Sequence, residues 1–390
     1  MERSMEKRND LIYMDHAATT YPKPEEVYQA MDEVNRNFAF NANRGSYKEA
    51  MEAHEIIEET RTLLLQLVQG GADAEVILTP SATVACNQII GGLPWHASDV
   101  VYVSPYEHNA VIRPLHLQQQ KIGFTIKELP LKKDTLELDL ARIPYLFETD
   151  HPNAVFLTQM SNVTGYCPPY RQVFAMAKQY GAWTVLDAAQ SFGLLPFELS
   201  QAWADIVVFA GHKNLHGPFG CGGFFLCHDM KLNPYLAGGT GSDTMNPNMP
   251  DRGTLRYEPA SPNIVALAGL RAALQHPCAD ALEREKRYTE DLIEAFRQIS
   301  SVILYPRAEY RTENYAGILA CNIKGVQAAD TGMLLDEDYH IAVRTGYHCA
   351  PLIHKYLHDE ASGGVVRFSP GYGTTEKELE RVIKAVREIG

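Results

Sequence analysis

Between about residues 75 and 227, short apolar segments alternate with stretches of helical periodicity. This alternation constrains the fold more than any other feature of the chain. Short apolar segments suit strands that are buried on both faces, as in a mainly parallel sheet, and the helices between them suit crossover connections. We therefore predict an α/β domain. The predicted strands are 76–78, 100–103, 154–157, 183–186, 206–209 and 223–226, and the predicted helices include 83–90 and 170–180.

The pattern changes after about residue 260, where a charged helical stretch leads into shorter apolar segments. We predict a large domain over residues 15–260 and a smaller α+β domain over 261–390, joined by residues 1–14. A cleft between two such domains is a usual place for a small-molecule site. In the smaller domain we predict strands at 317–323, 341–343 and 365–368 and helices at 281–299, 328–335 and 375–389.

The composition excludes several classes of protein. The chain has 390 residues, with 35 Lys and Arg against 48 Asp and Glu, and a formal net charge of −13. An acidic chain without a basic block does not suit nucleic acid or an anionic membrane. The apolar segments are too short for a transmembrane helix, and residues 1–10 lack the apolar core of a signal peptide. Seven scattered cysteines without a CxxC pair indicate a reduced, cytoplasmic protein without a metal site.

Polar side chains follow several of the predicted strands of the large domain. Asp187 and Gln190 come after one strand, Lys213 after another, and Asn162 and His108 after two more. In an open α/β sheet the ligand lies beyond the carboxyl ends of the strands. We therefore expect these side chains to meet in one site.

These residue types together describe one cofactor chemistry. A lysine among small residues, such as Lys213, can form a Schiff base with a carbonyl cofactor. A carboxylate such as Asp187 can hold a pyridine nitrogen protonated, so that the ring accepts electrons. A helix that begins near residues 81–83 offers N–H groups and a hydroxyl to a phosphate, and the His108 imidazole can stack on the ring. The combination predicts pyridoxal 5′-phosphate (PLP) as the cofactor.

The motifs and their order carry a family resemblance over almost the whole chain. The segment Arg-Thr-Gly-Tyr-His-Cys-Ala at 344–350 is similar to the R-T-G-x-H-C-A segment that bears the reactive cysteine in the group II, SufS-like branch. The chain resembles class V, fold-type I PLP-dependent transferases, and within them the cysteine desulfurase and selenocysteine lyase group. The other matching segments are 13–20, 43–45, 81–83, 107–108, 161–162, 187–190 and 211–213.

The resemblance implies a role for each matching residue. Lys213 would bind PLP covalently, Asp187 would pair with the pyridine nitrogen, and His108 would stack on the ring and take part in catalysis. Arg367 corresponds to the arginine that binds the substrate carboxylate, a task suited to a bidentate guanidinium. The other implied contacts are Ala82, Thr83 and His212 with the phosphate, Gln190 and Asn162 with the ring oxygen and its neighbours, and Arg344 and Asn162 with the substrate.

Two further assignments concern the thiol and the subunit structure. The resemblance implies that Cys349 is the catalytic thiol, and an arginine or imidazolium such as Arg344 or His348 beside it favours the thiolate. The other cysteines are expected to be inert, mostly buried residues. Thr240 resembles the residue that reaches the phosphate of the second subunit, so the resemblance also implies a homodimer.

The sequence departs from the family pattern at three places around the phosphate. Ala210 stands where the family usually has Ser or Thr three residues before the lysine, and Ala82-Thr83 replaces a Thr-Thr pair. The E-x-G-T-P-N motif reads Glu-Pro-Ala-Ser-Pro-Asn at 258–263. We expect the loss of about one hydrogen bond, or ~1–2 kcal/mol of cofactor affinity.

The function that the resemblance implies is a PLP-dependent cysteine desulfurase. It would convert L-cysteine to L-alanine, hold the sulfur as a persulfide on Cys349, and pass it to an acceptor such as an iron–sulfur scaffold or a sulfur-carrier protein. One alternative is a selenocysteine lyase, in which selenium leaves without an essential thiol. Another is a class V aminotransferase or a lyase of a different substrate. A third, a catalytically idle subunit that only binds partners, is opposed by the presence of Lys213 and Asp187.

Overall fold

The computed structural model of the protein describes residues 10–42, 45, 47–69, 74–227, 230–242, 244–306 and 314–390. Of the matching segment 43–45, residues 43 and 44 therefore lie outside the described part. The strands are β1 (Ile12–Tyr13), β2 (Ala74–Thr79), β3 (Val100–Val103), β4 (Thr125–Glu128), β5 (Ala154–Thr158), β6 (Trp183–Asp187), β7 (Ile206–Ala210), β8 (Gly222–Cys227), β9 (Val302–Tyr305), β10 (Leu319–Ile323), β11 (Ile341–Ala342), β12 (Arg344–Gly346) and β13 (Val365–Phe368).

Helices surround these strands in the way that crossover connections require. They are α1 (Glu25–Glu33), α2 (Lys48–Leu67), α3 (Ala82–Gly92), α4 (Asn109–Ile122), α5 (Ile143–Thr149), α6 (Tyr170–Lys178), α7 (Ile264–Gln275), α8 (Ala281–Arg297), α9 (Ala328–Tyr339), α10 (His354–Leu357) and α11 (Glu376–Ile389). Within the described residues, no helix is both long and apolar enough to cross a membrane.

The larger sheet confirms the prediction of an α/β fold. It has seven strands in the order β2-β8-β7-β6-β5-β3-β4, and β8 runs antiparallel to both of its neighbours while the others run parallel to one another. Every residue of β5, β7 and β8 is buried, which is why these strands appear in the sequence as continuous apolar segments. The parallel strands β5, β6 and β7 therefore end side by side at one edge.

A smaller antiparallel sheet has the order β12-β13-β10-β9. Residues 344–346, which follow the predicted strand 341–343, form its edge strand β12, because they pair with β13. The chain's beginning also lies here: β1 pairs in parallel with β11, and Ile12 and Met14 are buried with Phe296 in the same apolar core.

Helix α7 is the element that bears on the predicted division of the chain after residue 260. It packs against α1 and α2, and its buried side chains, among them Leu267 and Leu270, belong to the core of the larger sheet. By packing, residues 264–275 therefore go with the larger sheet, although they follow the predicted boundary. The ranges 15–260 and 261–390 stay a prediction.

Candidate active site

A cavity of about 220 Å³ lies beyond the carboxyl ends of β5, β6 and β7. This is where an open parallel sheet binds its ligand. Ten of the twelve predicted site residues line it, and they come from both sheets because Arg344 and Arg367 belong to β12 and β13. Those ten are Ala82, Thr83, His108, Asn162, Asp187, Gln190, His212, Lys213, Arg344 and Arg367.

Lys213 and Asp187 place an amine and a carboxylate in the same buried space. Lys213 follows β7, and its Nζ donates to Gln190 Oε1 at 3.2 Å. Burial lowers the pKa of this amine to about 8, against the opposing effect of the Asp187 charge. Asp187 ends β6 and accepts a hydrogen bond from the Ala189 N–H at 2.9 Å; burial raises the pKa of its carboxyl group. The cavity thus holds a lysine that can lose its proton near neutral pH.

His108 has a fixed protonation state. It caps the N-terminus of α4, where its Nδ1 accepts a hydrogen bond from the Ala110 N–H at 3.0 Å. Burial, reinforced by the positive charge of Lys213, lowers the pKa of the imidazole to about 4. The ring is therefore neutral and carries its proton on Nε2, as assigned from the hydrogen bond.

The first turn of α3 and the His212 ring form the end of the cavity nearest Ala210. Ser81 caps the helix by accepting from the Val84 N–H at 3.3 Å, and the first N–H groups of a helix have no acceptor within it. The His212 ring stacks on Phe219 with centroids 4.8 Å apart, and its buried Nδ1 meets no hydrogen-bond partner within the described residues. Helix N–H groups and an unpaired imidazole nitrogen are a suitable donor set for an anion.

Arg367 is a fully buried cation, and not all of its N–H groups have an acceptor within the described residues. Its Nη2 pairs with Asp15 Oδ1 at 2.5 Å, and its Nη1 donates to the Asn162 carbonyl at 2.8 Å. The Nε atom contacts no acceptor in the described part of the chain. Burial lowers the pKa of the guanidinium, and the charge of Asp15 partly offsets this lowering. A carboxylate in the cavity would therefore find a guanidinium that is already oriented.

Cys349 lies outside the cavity lining but next to it. Arg344, which does line the cavity, has its Nη2 at 3.4 Å from Cys349 Sγ. Of the seven cysteines, all of which are described, Cys349 is the exposed one. Burial raises the thiol pKa at each of the other six, namely Cys86, Cys167, Cys221, Cys227, Cys278 and Cys321.

Thr240 is the second predicted residue that does not reach this cavity. It is partly exposed, and its hydroxyl lies 3.2 Å from that of Ser242. It lines a different and larger cavity of about 920 Å³, together with Arg61 and Glu258, which form an ion pair at 2.5 Å. Within a single chain, Thr240 is therefore not brought together with the other site residues.

Several side chains that support the site were not singled out from the sequence. Asp15 pairs with Arg367, and Lys23 Nζ donates to the His212 carbonyl at 2.6 Å. The buried Glu107 accepts from the Ser104 hydroxyl and the Thr158 N–H, both at 2.6 Å. Asp15 and Glu107 belong to the matching segments 13–20 and 107–108, so the motifs contained a signal for both. Lys23 has none, because its role depends on a contact between residues 189 positions apart.

The family is decided by a comparison over nearly the whole chain. The family model described as aminotransferase class V matches residues 12–382. The chain belongs to this family. A curated member, the cysteine desulfurase of Klebsiella pneumoniae, is 30% identical over 97% of this chain and 93% of its own. A probable cysteine desulfurase of Methanothermobacter thermautotrophicus is 28% identical over 100% of this chain and 97% of its own.

Solved structures of class V aminotransferase relatives have the same fold. The apo structure of cysteine desulfurase from Thermococcus onnurineus has a TM-score of 0.87 and 26% sequence identity, and covers 98% of this chain and 95% of that one. The S-sulfonic acid form of the cysteine desulfurase CsdA from Escherichia coli has a TM-score of 0.82 and 25% identity, with the same coverage. These likenesses confirm the predicted fold-type I architecture.

Proposed function

We propose that this class V family member is a PLP-dependent cysteine desulfurase. It takes L-cysteine and the Cys349 thiol and yields L-alanine and a Cys349 persulfide. The C–S bond of the substrate breaks, an S–S bond forms, and the thiol proton replaces sulfur on the substrate carbon, so no external oxidant or reductant is needed. One observation carries the proposal: Lys213 and Arg367 share a cavity with Arg344, whose guanidinium contacts the exposed Cys349 thiol.

The residues of the cavity fit PLP. Lys213 offers an amine to the cofactor aldehyde, Asp187 a carboxylate to the pyridine nitrogen, and His108 a flat neutral ring to its face. The start of α3 and the unpaired His212 Nδ1 suit the phosphate. When bound, PLP supplies an electron sink that stabilises negative charge on the substrate α-carbon.

The chain's own groups then orient the substrate and move its protons. Arg367 binds the substrate carboxylate through N–H groups that Asp15 and the Asn162 carbonyl leave free. Lys213, whose pKa is lowered to about 8, is partly neutral at physiological pH and can take the α-proton on Nζ. Arg344 places its guanidinium 3.4 Å from Cys349 Sγ, the atom that attacks the substrate sulfur.

The same proposal includes a homodimer and an acceptor for the sulfur. Thr240 is partly exposed and does not line the cavity of its own chain that holds the other site residues, which supports its action on the phosphate of a second subunit. The exposure of Cys349 supports the transfer of its sulfur to an acceptor protein. All seven cysteines are free, which supports a reducing compartment such as the cytoplasm.

The first prediction tests the thiol. Purified enzyme incubated with L-cysteine and a reductant should release L-alanine and sulfide in equal amounts, and Cys349→Ser should lower both rates at least about 100-fold, the scale of a lost catalytic group. Cys278→Ser is the matched control, because Cys278 is partly accessible and lies outside the cavity; it should keep the wild-type rate.

Two outcomes would redirect the proposal. Undiminished desulfuration by Cys349→Ser would make Cys349 a structural residue and the protein a lyase or aminotransferase of another substrate. Release of selenide from L-selenocysteine by both wild type and Cys349→Ser, without turnover of L-cysteine by either, would identify a selenocysteine lyase.

A further inference from the structure

The segment Tyr347–His348–Cys349 is fixed through three consecutive backbone carbonyls. Each carbonyl accepts a hydrogen bond from a different part of the chain. His354 Nε2 lies 2.9 Å from the Tyr347 oxygen, Asn162 Nδ2 donates to the His348 oxygen at 2.7 Å, and the Asn109 N–H donates to the Cys349 oxygen at 2.6 Å. The backbone of the thiol is therefore held from three directions.

These hydrogen bonds stabilise a backbone conformation that is unfavourable by itself. His348 and Cys349 have φ angles of 46° and 57°, in the left-handed region that costs a residue with a side chain about 1–2 kcal/mol. Two such residues in succession persist only where the surroundings determine them. The conformation that presents Cys349 Sγ to Arg344 thus depends on these three hydrogen bonds together with the local one that the Ala350 N–H donates to the Tyr347 carbonyl at 3.0 Å.

Of the three donors, His354 is a side chain whose second ring nitrogen contacts a buried carboxylate. Its side chain is buried on α10, and its Nδ1 lies 2.6 Å from Asp359 Oδ2, also fully buried. A carbonyl can only accept, so Nε2 carries a proton. The contact between Nδ1 and the Asp359 carboxylate fixes the orientation of the ring, and with it the position of Nε2 opposite the Tyr347 carbonyl.

We propose that His354, oriented by Asp359, is a positioning residue that holds Cys349 in its reactive geometry through the Tyr347 carbonyl. The inference rests on the proposed function, because it gives Cys349 the role of sulfur acceptor. His354 does not line the cavity, and it contacts the backbone of Tyr347, two residues before Cys349, rather than the thiol. Sulfur transfer needs Sγ in line with the bond that breaks, and a displacement of about 1 Å can cost about 100-fold in rate.

Two amide substitutions distinguish the roles of the two ring nitrogens of His354. In His354→Gln the side-chain N–H₂ occupies a place near that of Nε2 and can still donate to the Tyr347 carbonyl. In His354→Asn the amide is near Nδ1 and can contact Asp359 only. His358→Asn is the matched control, since His358 is exposed and has φ 54°, a conformation in which Asn is well tolerated.

Single-turnover formation of the Cys349 persulfide from L-cysteine, followed by mass spectrometry on holoenzyme, is the first readout. We expect His354→Asn to be at least about tenfold slower than wild type, and His354→Gln and His358→Asn to lie within about threefold of it. The KM for L-cysteine should change less than about twofold in all three, because Arg367 is untouched.

Chymotrypsin gives a second readout that needs no turnover. The half-exposed Tyr347 is one of the aromatic residues after which chymotrypsin can cleave, and the carbonyl that His354 binds belongs to that peptide bond. Cleavage after Tyr347 should be at least about tenfold faster in His354→Asn than in the other two variants, because local opening precedes proteolysis. If wild type releases no alanine from L-cysteine, the proposed function fails, while this comparison still reports on the loop.

Asp359→Asn keeps the proposal falsifiable should His354→Asn fail to fold. The new amide can donate to Nδ1, which leaves the proton on Nε2 and keeps the bond to Tyr347, so persulfide formation should stay within about threefold of wild type. The proposal is overturned if His354→Asn matches His354→Gln in both readouts. It is equally overturned if either His354→Gln or Asp359→Asn is slowed tenfold or more.

Discussion

At the scale of single residues, burial has opposite chemical effects on Lys213 and Asp187. It lowers the pKa of the amine and raises that of the carboxyl group, because both charged forms lose hydration. The charge of each group partly offsets this effect, because it favours the charged form of the other. The lysine consequently changes protonation state near pH 8, more than two pH units below its ordinary value of 10.5, and the neutral amine is the form that reacts with an aldehyde.

This shift predicts the pH dependence of cofactor uptake. In protein stripped of cofactor, Lys213 is protonated below pH 8 and neutral above it. The rate at which PLP becomes covalently attached should therefore rise about tenfold per pH unit up to about pH 8 and then level off. The rate is measured as the growth of the near-visible absorbance band.

Borohydride reduction followed by peptide mapping identifies the lysine in the same experiment. Lys213→Ala should leave no fixed cofactor, whereas Lys377→Ala, an exposed lysine on α11, should behave as wild type. Attachment to another lysine, or uptake that keeps rising to pH 10, would contradict the assignment.

At the scale of elements, the ion pair between Asp15 and Arg367 joins the segment after β1 to β13. The Arg367 side chain is 1% exposed, so its charge depends on Asp15 for compensation. Asp15→Asn should lower the free energy of unfolding by about 3 kcal/mol, because it leaves a buried charge unpaired. Urea titration measures this loss.

The exposed pair of Asp10 and Arg381 is a control of the same kind. It also joins the chain's beginning to its end, at 3.2 Å, but its side chains are 66% and 41% exposed. Asp10→Asn should change the free energy of unfolding by less than about 1 kcal/mol. Equal losses in the two variants would mean that burial does not determine the strength of the Asp15 pair.

Fully buried strands were predictable as elements, and half-exposed ones were not. β3 has its predicted bounds, and β5, β6 and β7 extend their predictions by one residue, because these strands are almost entirely apolar and buried. Edge strand β4 has the sequence Thr-Ile-Lys-Glu and no fully buried residue, so no apolar segment marked it. Strand β9 was not predicted although its sequence, Val-Ile-Leu-Tyr, is apolar throughout; three of its four residues are only partly buried.

At the scale of the whole molecule, the site depends on how distant elements meet. Ten of the twelve predicted residues share one cavity, and the sequence could predict this because residues after neighbouring parallel strands converge. The His354–Asp359 pair was not predictable, since a histidine five residues before an aspartate is common and only the fold places the ring under Tyr347. The place of Thr240 cannot be checked within one chain, because this residue is expected to act in the site of the other subunit.

The proposed homodimer gives the last prediction. If Thr240 completes the site of a second subunit, mixing Lys213→Ala protein with Thr240→Ala protein and allowing exchange should create sites with both residues intact. Random pairing gives about a quarter of all sites this way, and desulfurase activity should rise accordingly above that of either variant alone. No recovery after subunit exchange, or a monomeric mass by light scattering at micromolar concentration, would remove Thr240 from the site.

The position of β1 has a consequence for the synthesis of the chain. Asp15 and Arg367 are 352 residues apart, and Ile12 is covered by residues of the last third of the sequence. Until the ribosome has synthesised β11, the first strand has no partner strand, and Arg367 is added later still. A chain released early, before β13, leaves its apolar beginning exposed to aggregation. The ion pair of Asp15 and Arg367, and with it the carboxylate site proposed at Arg367, can therefore form only when translation is almost complete.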